Sequence, residues 1–235
     1  MHSSFGTFEQ PDTGDTLALW DADSESPTAQ LPSTPAGLTG CGPNVMIETA
    51  EGPQPAEWLR SGDLVLTRDN GYQPVVWVGR SSLNDPGALP PLRVNSGALG
   101  HNTPAHDLVV SPNHKILLNS PLVDLYFGND EVLAPASDIA TEDEINFEAP
   151  ESNYAYCHIL FAQHEVILSE GIWIESLFPN EETLNFLGPD IAHIIAERLG
   201  PDFATSKTAR MCLHKGEAVV LKPRQAVAAR RTIAA

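Results

Sequence analysis

Positive charge is scarce in this chain. Its 235 residues hold 13 Lys and Arg against 31 Asp and Glu, a formal net charge of −18. A surface this acidic repels a phosphate backbone, so no nucleic-acid partner is expected. The scarcity is uneven. Residues 1–197 carry 29 acidic and 5 basic side chains, and the last 38 residues carry 2 and 8. The basic end reads as a solvated tail. Cysteine is also scarce: Cys41, Cys157 and Cys212 are odd in number and widely spaced, which argues against a disulfide framework. No Cys-x-x-Cys is present, so a thiolate zinc site is not expected, nor any other metal or cofactor. Cys157 and Cys212 read as small buried hydrophobes. No run of eighteen apolar residues exists, so no membrane span is expected. The opening MHSSFGTFEQPDTGD lacks the basic and apolar regions of a secretory signal. This leaves cytoplasmic residence, or export by a route that needs no such signal.

Three segments follow from composition. Residues 1–40 hold six acids, no Lys or Arg, and Pro-, Ser- and Thr-rich stretches such as SESPTAQLPSTPAGLTG. They cannot bury enough apolar surface to offset ordering entropy and read as a mostly disordered acidic leader. Residues 41–176 carry short runs rich in Val, Ile and Leu: NVMIET, GDLVLTR, QPVVWVG, LRVNSGAL, DLVVSPNHKILL, YAYCHILF and HEVIL. Gly, Pro and Asn separate them, and the expected fold is all-β. Asn70-Gly71 signals a hairpin, and PAEWLRSG one helical turn ending at Gly62. Residues 177–235 read as a helical and basic appendage. Its helix starts at Gly188-Pro189-Asp190, carries Ile191, Ile194, Ile195 and Leu199 at helical spacing, and stops at Gly200. RQAVAARRTIAA reads as a frayed or disordered end.

Chemistry is suggested by three features together: Gly40-Cys41 at the border of leader and β-domain, Ser111-Pro112-Asn113-His114, and the histidines His158 and His164. A cysteine opening a domain can attack the carbonyl just before it, replacing an amide by a thioester. That shift is uphill unless the fold protonates the departing nitrogen and stabilises the oxyanion. If the chain turns at Pro112, Ser111 and His114 converge on one peptide bond. His114 would then act as general acid, and the Ser111 hydroxyl would orient or donate. Gly40 would tolerate the strained backbone such a bond needs. The plainer readings are a satisfied core histidine at 158, exposed loop histidines at 101 and 106, and a solvent-facing strand-edge acid at Asp107. Glu165 would be a surface partner of His164. Trp58, Trp77, Trp173 and Ile174 would pack in the core or at its rim, and Asp63 would shape a turn.

These blocks, in order, resemble the bacterial Hint family related to hedgehog C-terminal domains and inteins. GPNVMIETAEGPQPAEWLRSGDLVLTRDNGYQPVVWVGR is similar to its N-terminal block. HDLVVSPNHKILL is similar to its Thr-or-Ser-x-x-His block, and EVLAPASDI to the strand that follows. YAYCHILFAQHEVILSEGIWIESLFP is similar to its C-terminal block, with His164 at the helper histidine, and TARMCLHKGEAVVL to the appended tail of bacterial members. The resemblance covers about residues 40–222. It implies a flattened all-β horseshoe with pseudo-two-fold symmetry. It also implies an N–S acyl shift with Cys41, Ser111, His114 and His164 as site residues and Gly40 at the cleavage point. GIWIESLFP holds no His-Asn pair, so self-cleavage without splicing is implied. The substrate would be the chain's own N-terminal segment, processed by a monomer, and the thioester acceptor is left open. Bacterial members open with Cys, an aromatic residue and a Pro-Gly-Thr-like turn. An ungapped alignment of the strands here places Gly40 at the nucleophile position, and Cys41 takes it if the turn is one residue shorter. Two other readings stand beside this one. One is a catalytically degenerate Hint fold serving as an interaction or secretion-associated module. The other is a metal hydrolase or cupin-like protein using His101, His106, His114, His158 or His164, although no His-x-His is present.

Overall fold

The structure is a computed structural model that describes residues 39–82, 90–139, 145–147, 155–200, 203 and 206–221. Nearly all of the acidic leader and the RQAVAARRTIAA end lie outside the described residues. Among the described residues from Gly40 to Glu175 the regular structure is mainly short strands, the expected all-β class, in three ladders. The largest contains β1 (Met46–Thr49), β2 (Gly52–Pro55), β3 (Leu64–Thr67), β4 (Gly71–Pro74), β8 (Lys115–Asn119), β9 (Glu131–Pro135), β12 (Val166–Ser169), β13 (Ile172–Glu175) and β14 (Met211–Cys212). Its order is β14-β9-β8-β13-β12-β1-β3-β4, with β2 paired to β1. A three-stranded ladder joins β10 (Ile145–Phe147), β6 (Leu92–Val94) and β7 (Leu108–Val110). The last pairs β11 (Ala155–Leu160) with β5 (Trp77–Ser82).

Cys41 forms antiparallel bridges to both Val110 of β7 and Cys157 of β11, so one residue stitches the two small ladders together. Two expected long runs divide where the chain crosses from one ladder to another. QPVVWVG breaks at Val75-Val76 between β4 and β5. DLVVSPNHKILL breaks at Ser111–His114 between β7 and β8, because Pro112 has no N–H to continue a ladder. Residues 161–165 carry β11 into β12. Ser111, His114 and His164 therefore all sit at crossings. The core between them is aliphatic: Ile47, Val65, Val94, Val110, Ile116, Ile167 and Ile174 are each 0–1% exposed.

Several local expectations need correcting. The helical turn of PAEWLRSG is a three-residue 3-10 turn, Ala56–Trp58, which stops before Gly62. Only Ala56 of that turn is buried, so Trp58 projects outward at 68% exposure instead of packing. At the β3–β4 hairpin Thr67 lies opposite Gly71, making a three-residue loop. Gly71 has a positive φ of 65°, and Asn70 is not among the residues with positive φ. The Asn70 amide instead donates to both Glu165 oxygens, at 2.9 and 3.1 Å, so Glu165 is a buried tie between crossings and not a surface partner. Cys212 is half-buried on edge strand β14, less covered than a core position, with Leu133 of β9 as its register partner.

The appendage is partly integrated into the fold. Helix α1 (Pro121–Phe127) and short α2 (Ala136–Ile139) flank β9, while α3 (Glu181–Leu187) and α4 (Pro189–Leu199) follow β13. α4 begins and ends where expected, with Pro189 at its first position, Gly188 before it and Gly200 after it. Ile195 is fully buried against Leu160 and Leu177, with Trp77 and Leu184 packed alongside. Such burial is worth about 1.5–3 kcal/mol. Downstream, β14 adds to β9 in parallel, and Arg210 ties it down through Asp69 at 2.7 Å and Glu131 at 2.8 Å. Arg68 grips the same Glu131, whose carboxyl is held down to about 2 by these guanidiniums. Among the described residues no helix is long and apolar enough to cross a membrane.

Candidate active site

Gly40 is held at both ends of its own residue by Ser111. The Gly40 N–H donates to the Ser111 hydroxyl at 3.1 Å, and the Gly40 carbonyl accepts the Ser111 N–H at 2.9 Å. The second bond polarises the carbonyl that a neighbouring nucleophile would attack, from a buried donor fixed by the β7–β8 turn. The turn is closed by the His114 N–H donating to the Ser111 carbonyl at 3.0 Å. Ser111 thus holds Gly40 through both its side chain and its backbone, and the backbone half is not legible in the sequence.

Cys41 is 2% exposed and lines one small cavity, about 10 Å³, with Thr39, Gly40, His114, Cys157, His158 and Glu175. That is close to the room one water molecule requires. Its N–H donates to the Cys157 carbonyl at 3.0 Å, and its carbonyl accepts the Cys157 N–H at 2.7 Å. Burial pushes the Cys41 thiol well above its ordinary range, and the neighbouring Cys157 and Glu175 push the same way. Both ring nitrogens of His114 are buried and lack a hydrogen-bond partner. Burial holds this imidazole neutral, down to about 3, with Lys115, His158 and His164 adding to the effect. A buried imidazole with both nitrogens open costs stability and calls for an explanation in function.

His158, expected to be a satisfied core histidine, has partners on both nitrogens. Nδ1 lies 2.7 Å from the Thr39 carbonyl and must donate to it, so Nε2 accepts the Ser81 hydroxyl at 2.8 Å. The ring is satisfied, and it also grips the residue before Gly40. A Cβ at Gly40 would lie 2.8 Å from both His158 Cε1 and Tyr156 Cβ. Gly40 is not among the described residues with positive φ, so its glycine is required by close packing and not by backbone strain, correcting the sequence argument. We expect Gly40→Ala to displace His158 and release Thr39, lowering stability by about 1–3 kcal/mol. Denaturant unfolding of the two proteins checks this, and an unchanged midpoint would refute the packing argument.

His164 does not line this cavity, although it is near enough to His114 to oppose its charging. Its Nδ1 accepts the Ala209 N–H at 3.0 Å, so Nε2 carries the proton and faces Glu175 Oε2 at 3.9 Å, too long for a hydrogen bond. Its ring meets Phe178 at 5.2 Å. Sequence reasoning missed Glu175 and Lys115. Glu175 is 3% exposed; Oε1 accepts the Lys115 N–H at 2.9 Å, and Oε2 is 3.3 Å from Lys115 Nζ. The available signal was an acid closing the apolar strand IWIE, beside a lysine adjoining His114. His101 and His106 are exposed, with His106 Nδ1 2.8 Å from Glu170. Asp107 pairs with Arg93 at 2.9 Å near the surface. Among the described residues no group of three or more His, Cys, Asp or Glu is arranged to hold a metal ion.

Residues 41–181 match the Hint domain family model. The chain is similar to solved structures of the gp41-1 intein (14% identity, 58% of this chain and 97% of that one, TM-score 0.36). It is also similar to a bacterial intein-like domain from Clostridium thermocellum (11%, 60% and 99%, 0.41). A third similar structure is the MchDnaB-1 intein (12%, 58% and 99%, 0.35). No curated protein matches.

Proposed function

The chain belongs to the Hint-domain family, and from that premise we propose that it cleaves itself at Gly40–Cys41 by an N–S acyl shift, without splicing. The observation that carries this reading is the double hold of Ser111 on Gly40, with Cys41 and His114 lining one small cavity beside it. Cys41 is the nucleophile and the Ser111 N–H stabilises the oxyanion. His114 serves the departing nitrogen, and His164 supports the site from the C-terminal block. The substrate is the chain's own first forty residues. The experiment is intact-mass analysis of purified full-length protein with and without dithiothreitol. Loss of residues 1–40, accelerated by thiol, is the expected result.

A second reading, a degenerate module kept for interaction, is favoured by one observation. The Cys41 N–H is already committed to the Cys157 carbonyl, and its thiol is buried and held protonated. A mass that stays intact under every thiol condition would select it.

A further inference from the structure

The acyl shift needs something to take the thiol proton of Cys41, and His114 is poorly suited to that part. Its ring is so reluctant to accept a proton that it is a weak base. The other titratable group on the same cavity with negative charge to offer is Glu175. We infer that Glu175 is the proton acceptor for the Cys41 thiol, held in place by Lys115; this deepens the self-cleavage reading and rests on it.

Charge accounting supports the assignment. Lys115 supplies one positive charge to the enclosed site, at 3.3 Å from Glu175 Oε2. One negative charge balances it. Glu175 raises the Cys41 thiol and is itself raised by burial, so a carboxylate and a thiolate do not coexist there. The pair shares one negative charge, and moving a proton from sulfur to carboxylate leaves the net charge of the site unchanged. In low dielectric this avoids the cost of creating a new buried ion. The other groups facing Glu175 are His164 Nε2–H at 3.9 Å and, on β14, the Cys212 thiol, which the Glu175 charge also raises.

The step balances. The S–H bond of Cys41 breaks and its proton goes to Glu175. Sulfur attacks the Gly40 carbonyl carbon, a C–S bond forms, and the C–N bond of Gly40–Cys41 breaks. The nitrogen leaves as an amine, and the proton it takes is the one Glu175 received, carried by way of the His114 ring across the cavity that both side chains line. No oxidant or other reactant is needed.

The test is single-turnover cleavage with dithiothreitol, followed by intact mass from pH 5 to 9, in wild type, Glu175→Gln and Glu175→Asp. Wild-type rate should level off once the carboxylate is ionised. Glu175→Gln should lose about a hundredfold or more at neutral pH, and its residual rate should climb about tenfold per pH unit as hydroxide replaces the lost base. Glu175→Asp, which keeps the acid one methylene further away, should recover part of the rate and the wild-type profile. A Glu175→Gln protein that cleaves as fast as wild type, or slows with an unchanged pH profile, overturns the assignment. So does an Asp variant no better than Gln. Wild-type protein that never cleaves instead brings down the self-cleavage reading, and this inference falls with it.

Discussion

Cys41→Ala abolishes release of the first forty residues, and His114→Ala slows it by about a hundred- to ten-thousandfold: these are the largest effects expected in the site. Cys41 follows Gly40, whose carbonyl accepts the buried Ser111 N–H at 2.9 Å. Cys157 follows Tyr156 within the β11–β5 ladder, where its backbone is committed to strand pairing and its own thiol donates to the Ala56 carbonyl. Cys212 lies on edge strand β14. Removing His114 leaves the amide nitrogen to depart unprotonated, while the hold of Ser111 on Gly40, made largely by backbone, survives. The measurement is intact mass over time with dithiothreitol. Cleavage that persists in Cys41→Ala would sink the acyl-shift mechanism, and a His114→Ala rate within threefold of wild type would remove His114 from it.

The fold should also be unusually sensitive to mild acid. His114 is held down to about 3, and His158 and His164 to about 4, each chiefly by burial. Between pH 6.5 and those values the unfolded histidines bind protons that the folded ones refuse. The unfolded state therefore holds more protons, and stability falls as pH falls through this window. One unit of depression is worth about 1.4 kcal/mol, so His114 alone contributes on the order of 5 kcal/mol, fully lost only near pH 3. That is comparable to the whole stability of many domains. Glu175, raised by burial, acts in the opposite direction and offsets part of the loss. Glu131 adds to the loss only as pH falls below its ordinary 4.5 toward about 2, beneath the range of the melting experiment. Thermal melting from pH 8 to 4.5 should show a steep decline beginning near pH 6.5. The decline should be shallower in His164→Gln, and a flat profile in wild type would contradict the burial of these rings.

The strand runs were legible because Val, Ile and Leu cluster between turn residues, and the α4 helix because Pro189 and Gly200 mark its ends. What the pattern did not convey was which ladder each run joins. DLVVSPNHKILL looks continuous in composition, yet Pro112 divides it between two ladders, and the site lies at that division. Ser111 and His114 could be singled out by their spacing. Glu175 could not, because an acid at the end of an apolar strand reads as the place where the strand meets water. Its burial depends on Lys115, sixty residues away, whose N–H and ammonium both turn toward it. Trp58 failed for the opposite reason: a large aromatic side chain suggests a core, but a 3-10 turn with buried Ala56 leaves no inward position for it.

The hold on residues 39 and 40 is made almost wholly through their backbone. His158 takes the Thr39 carbonyl, and Ser111 takes both polar groups of Gly40. The one side-chain demand is negative, that position 40 carry none. A grip of this kind does not inspect its passenger. Any cargo that ends in glycine could be joined ahead of Cys41 and be seated the same way, which would make residues 41–221 a transferable cassette.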